Sequence, residues 1–122
     1  MYVLGGEDGH TPISCADALE WANWMEKADR KVAATVVGNL EVSTVFLGLN
    51  HNHFSELLGP RKLRDRAPLL FETMIFELAE EEEGDRHSIG YQTRCSTWDE
   101  AVSMHEEGVA AARRSLLKLV EN

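Results

Sequence analysis

Two stretches of this chain are rich in apolar residues on both sides of a period-two pattern: Leu40-Glu-Val-Ser-Thr-Val-Phe-Leu-Gly-Leu49 and Leu69-Leu-Phe-Glu-Thr-Met-Ile-Phe-Glu-Leu78. Successive side chains of a strand point to opposite faces, so Val42, Thr44 and Phe46 share one face and Ser43, Val45 and Leu47 the other. Bulk on both faces is expected of interior strands covered on both sides. Val32–Val37 precedes them as a β-branched run, and Gly38-Asn39 is the two-residue turn that favours a tight hairpin. Tyr91–Cys95 reads as a short, polar last strand, hence near an edge.

Helical periodicity flanks this β region. Ser14 is placed to cap a first helix, with Asp17 helping the exposed amides, and Ala18, Leu19, Trp21, Ala22, Met25 and Ala28 recur at helical spacing until Arg30 or Lys31. Thr97-Trp-Asp-Glu100 is a capping box. The stripe Trp98, Ala101, His105, Val109, Ala112, Leu116 and Leu119 follows it. Tyr2-Val-Leu is a candidate edge strand before Gly5-Gly6, and residues 7–13, polar and containing Pro12, read as loop. Residues 50–67 form a long polar connection in which Phe54–Leu58 suits one helical turn, and the acidic block Glu80–Asp85 reads as loop. The pattern predicts one α+β domain over residues 1–122: an antiparallel sheet of about four strands with an N-terminal and a C-terminal helix packed on it, in the order helix, strands, helix.

Length and charge narrow the function classes. At 122 residues and 43% apolar composition the chain can bury a core without staples. No apolar run approaches the roughly 20 residues that span a bilayer, and the N-terminus has neither a basic region nor a long apolar one. The expectation is a soluble, cytoplasmic protein that does not associate with membranes, with Cys15 and Cys95 as free thiols. The net charge of −9 opposes general nucleic-acid binding. Four of the 12 basic side chains nevertheless crowd into residues 60–66. That segment is expected to be solvated or to pair with the acidic block, a local contact to a nucleotide being the sharper alternative.

The blocks Val42-Ser-Thr-Val-Phe-Leu-Gly-Leu-Asn-His51, Pro68-Leu-Leu-Phe-Glu-Thr-Met-Ile-Phe76 and Ser96-Thr-Trp-Asp-Glu-Ala101, followed by His105, occur in that order. In this the chain, from Trp24 to His105, resembles a family of small uncharacterised proteins found in bacteriophages and other mobile genetic elements. The resemblance implies a mobile-element origin and carries over no catalytic residue. Where that family has a short connection after His51, this chain has a basic insert, His53 to Arg66.

Six residues are candidate ligand-binding positions: Ser43, Thr44, His51, Glu72, Thr73 and His105. Glu72 and Thr73 interrupt one apolar strand and Ser43 and Thr44 its neighbour. A carboxylate on an interior strand is unfavourable unless paired or hydrogen-bonded, so Glu72 with His51 or His105 would make either a polar site or a structural network. His105 lies on the apolar stripe among the small residues Ala101, Gly108 and Ala112, which either let the helix approach the sheet or leave a hollow. There it would be a general acid or base, or a core histidine bonded to a strand. His51 and His53 have a spacing that can place both rings on one side of a strand, but no second ligand cluster accompanies them, and neither a metal nor a cofactor is expected. Ser43, His105 and Glu72 can be written as a triad, without the Gly-x-Ser-x-Gly turn that would expose a nucleophile. Trp21 and Trp24 are either core aromatics or part of an oligomer interface.

Three functions remain. The first is a non-enzymatic binding module for a small ligand or host protein, acting as a homo-oligomer. The second is a small acid–base enzyme using His105 and Glu72 in a sheet pocket. The third is a structural assembly protein.

Overall fold

The computed structural model describes residues 1–50, 68–78 and 86–121. The elements are β1 (Tyr2–Gly5), β2 (Thr11–Ser14), α1 (Ala18–Lys27), β3 (Lys31–Val37), β4 (Leu40–Phe46), β5 (Phe71–Leu78), β6 (Arg86–Cys95) and α2 (Trp98–Glu121). This is an α+β fold in which α1 precedes and α2 follows a four-stranded antiparallel sheet of order β3-β4-β5-β6. A separate two-stranded ribbon pairs β1 with β2.

Three local readings are corrected. Residues 7–13 do not all form loop: Pro12 sits inside β2, tolerated because a two-stranded ribbon consists of edges and a proline there need not break a central ladder. Ser14 ends that strand and does not cap α1. The cap is Asp17, whose carboxylate accepts from the amides of Leu19 and Glu20 at 2.9 and 3.1 Å. The last strand is longer than Tyr91–Cys95 because a register shift lets Arg86–Ser88 pair as well. Between Met74 and Phe76 two steps of β5 are matched by four on β6, Gln92 to Ser88, which is a bulge on the outer strand.

Other readings hold. The Gly38-Asn39 hairpin is present, with Gly38 at φ +60°. Thr97 accepts from the Glu100 amide at 3.2 Å at the start of α2, although its hydroxyl, not its backbone amide, meets the Glu100 carboxylate. The expected alternation in β4 is present: Leu40, Val42, Thr44 and Phe46 are buried and the residues between them half-buried.

The buried face carries the core. At one end Phe46, Leu70, Phe71, Ala101 and Met104 pack together, joined by Tyr2 and Leu4 of the ribbon, Trp24 of α1 and Trp98 of α2. Trp24 meets Phe46 edge-on, and Trp98 meets Phe71 the same way. At the other end Leu40, Val42, Ile75 and Ala112 form a second cluster beneath Val109 and Leu116. Trp24 is thus a core aromatic, while the Trp21 indole N–H donates to the Tyr2 carbonyl at 3.0 Å and ties α1 to the ribbon. The cover expected on both faces of β4 and β5 is found on one: among the described residues both helices pack on the face that holds Phe46.

Candidate functional site

The polar residues at the centre of the sheet divide by parity. Thr44 of β4 stands opposite Thr73 of β5, which stands opposite Thr93 of β6. All three point toward α2. Their hydroxyls form a row under the middle of the helix, and Thr44 and Thr73 are fully buried. The Thr44 and Thr73 hydroxyls bond at 2.5 Å. His105 comes down onto this row from α2: its Nδ1 is 2.8 Å from the Thr44 hydroxyl and its Nε2 is 2.8 Å from the hydroxyl of Thr35 on β3.

This approach depends on Gly108. A Cβ there would stand 3.0 Å from both the Thr73 and the Val42 methyl carbons, so a residue with a side chain would have to push these buried neighbours aside by a few tenths of an ångström. The small residues around His105 therefore mark close packing and not a hollow. The ring is 6% exposed and both its nitrogens are engaged. Burial pushes its pKa down, and the Glu106 carboxylate opposes the shift in part. A neutral imidazole suits the network, since one ring N–H donates to one threonine and the other nitrogen accepts from the second.

Glu72 lies on the other face of the sheet. It stands between Val45 and Arg94 in the register. Its Oε2 accepts from the Arg94 Nε at 2.9 Å and from the Gln92 amide at 2.7 Å. That is how a 9% exposed carboxylate is held on an interior strand. Ser43 shares this face and stands opposite Met74. Of the six candidates, Thr44, Thr73 and His105 are brought together, Ser43 and Glu72 are held behind the sheet from them, and His51 lies outside the described residues, as does His53. The triad and the Glu72–His105 pair both have the sheet between their members.

Thr35, Gln92 and Arg94 complete the two networks and are not singled out by the sequence. Cross-strand register pairs Thr35 with Val42 and Arg94 with Glu72, and no local spacing reveals that pairing. Among the described residues no group of three or more His, Cys, Asp or Glu could hold a metal ion. Beside the threonine row, between β6 and the first turns of α2, lies an open cleft of about 540 Å³. Thr93, Cys95, Asp99, Glu100, Ser103 and Glu107 line it. Cys95 and Cys15 are free thiols, and burial together with Glu100 raises the Cys95 pKa to about 11, so its reactive thiolate form is suppressed. No helix among the described residues is long and apolar enough to cross a membrane. Comparison with models of known protein families, with curated proteins and with solved structures found no match.

Proposed function

We propose that this chain is a cytoplasmic protein of a mobile genetic element that works by binding, not by catalysis, and does so as a homo-oligomer that holds a small ligand or a host protein. The observation that carries this reading is the engagement of His105. A general acid or base must reach a substrate proton, and this imidazole is buried with both nitrogens bonded to Thr35 and Thr44. Glu72, the acid expected to work with it, is itself bonded to Gln92 and Arg94 across the sheet. Both groups thus act as structural ties.

The self-association is read from the sheet. Val45, Leu47 and Met74 are half-buried on the face away from both helices, and Val36 beside them is 61% exposed. A second copy meeting this face would remove them from water at a two-fold contact. Light scattering over a concentration series tests it. The native chain is expected to give a dimer or larger species. Met74→Glu, placing a charge in the contact, is expected to give a monomer with an unchanged circular dichroism spectrum. A native monomer at high concentration overturns the oligomer, and turnover that is lost in His105→Gln overturns the non-catalytic reading.

A further inference from the structure

The outer strand β6 and the start of α2 form a second, differently built surface. β6 ends the order β3-β4-β5-β6, and among the described residues no strand pairs with its outer side. Its bulge lies at residues 88–92, so Gln92–Cys95 remain in regular register and form the usable edge. Along this edge runs one stripe of α2: Asp99, Ser103 and Glu107, four residues apart, exposed, and lining the cleft together with Thr93, Cys95 and Arg94, whose guanidinium is paired with Glu72. No ion pair engages Asp99 or Glu107 among the described residues. In the wall of the cleft the Thr93 hydroxyl is shielded from solvent and has no hydrogen-bond partner among the described residues, although Thr44 and Thr73 in the same row are satisfied. A buried hydroxyl without a partner is unusual enough to call for one.

We propose that this edge takes an extended basic segment of a partner polypeptide as a fifth strand, with cationic side chains over Asp99 and Glu107 and a small polar one over Ser103 and Thr93. An added strand bonds to the free backbone of β6 and sends alternate side chains toward α2. The spacings agree. Asp99 to Glu107 spans about 12 Å at 1.5 Å per helical residue, and positions i to i+4 of a strand span about 13 Å. The partner pattern is therefore basic, any, small polar, any, basic. A second copy suits the edge poorly, because pairing β6 with itself would bring two Asp99–Glu107 stripes into the same neighbourhood, and like charges there repel. The bulge keeps the edge short, which leaves much of the attraction to charge.

The inference rests on the reading of this chain as a binding module and names a partner chemistry for it. It is tested on the full chain with the capped peptide Thr-Lys-Val-Thr-Val-Lys-Thr. Three comparisons accompany it: the same peptide with Glu for Lys, the Lys peptide with its backbone amides N-methylated, and the doubly substituted protein Asp99→Asn with Glu107→Gln. Saturable binding of the Lys peptide is expected in fluorescence anisotropy, weakening as salt is raised. Hydrogen-exchange protection is expected within Gln92–Cys95. The doubly substituted protein should bind about tenfold more weakly, as two exposed charge pairs imply, and the N-methylated and Glu peptides should not saturate. No saturable binding, or equal binding by the N-methylated peptide or the substituted protein, overturns the proposal. A chain that oligomerises without turnover yet ignores the Lys peptide fails this inference alone. A chain that binds the peptide as described but shows turnover lost in His105→Gln fails the non-catalytic reading alone.

Discussion

The hydroxyl of Thr44 touches two partners at once, His105 Nδ1 and Thr73 Oγ1, with no solvent to replace either. Thr44→Val keeps the shape and strips both partners. We expect a loss of about 1–3 kcal/mol, the range for orphaning buried polar groups, read by urea unfolding. Thr35→Val meets only Nε2 in a part-buried position and should fall at the low end of that range. His105 also sets a pH dependence. Its folded pKa lies below the ordinary 6.5 because burial disfavours the charged ring. Between those two values the unfolded chain binds more protons than the folded one, so stability drops as pH falls through that window. Above it the contribution of the neutral ring is fully present, and below the folded value this histidine adds no further loss. The difference in unfolding midpoint between the native chain and His105→Gln, followed from pH 8 to pH 4, should be constant above about 6.5 and shift in favour of His105→Gln below it.

At the scale of the element, α2 is held at its start by Thr97 and over its length by packing. Thr97→Ala removes the acceptor for the Glu100 amide and is expected to cost about 1 kcal/mol in thermal unfolding. The Thr97 signature was legible in the sequence because capping is a local exchange between neighbouring residues. The start of α1 misled for the same reason: Ser14 and Asp17 are both good caps, and the choice fell to Asp17 only because β1 recruits Thr11–Ser14 into a ribbon. Pro12 argued for loop, yet pairing with Leu4 of β1 outweighed its local preference. The bulge in β6 was equally hidden. Gly90, at φ +87°, is the residue type that marks a bulge within Ser88-Ile-Gly-Tyr-Gln92, but the two extra residues are fixed by the register on β5 either side of it.

For the molecule as a whole, the contact that matters most is that of α2 with the sheet, and Gly108 lies directly over Thr73 and Val42. Gly108→Val would push methyls into Thr73 and Val42, which lie in fully buried surroundings and have little room to give. Overpacking of this kind is expected to cost at least about 1–3 kcal/mol, and it should also separate His105 from Thr44. A lowered unfolding midpoint together with a His105 ring resonance shifted toward its solvent-exposed position would register both effects. A normal midpoint would mean that α2 stands further from the sheet than this geometry requires.

By itself the sequence determined both flanking helices, the central strands and which of their residues share a face. Periods of 2 and 3.6 are properties of the backbone, so the parity that puts Thr44 and Phe46 on one face, the Gly38-Asn39 turn and the stripe that includes Leu116 follow from residue order alone. Which polar residue meets which was decided only by the tertiary structure. Glu72 and Thr73 are neighbours in the chain, but the pleat sends one to Arg94 and Gln92 and the other to Thr44, which His105 then joins. Their direct partners come from strands 20 to 29 residues away, and the choice depends on register, while the arrival of His105 depends on helix placement and on the absence of a side chain at Gly108. Those are properties of the packed molecule, and no window of sequence contains them.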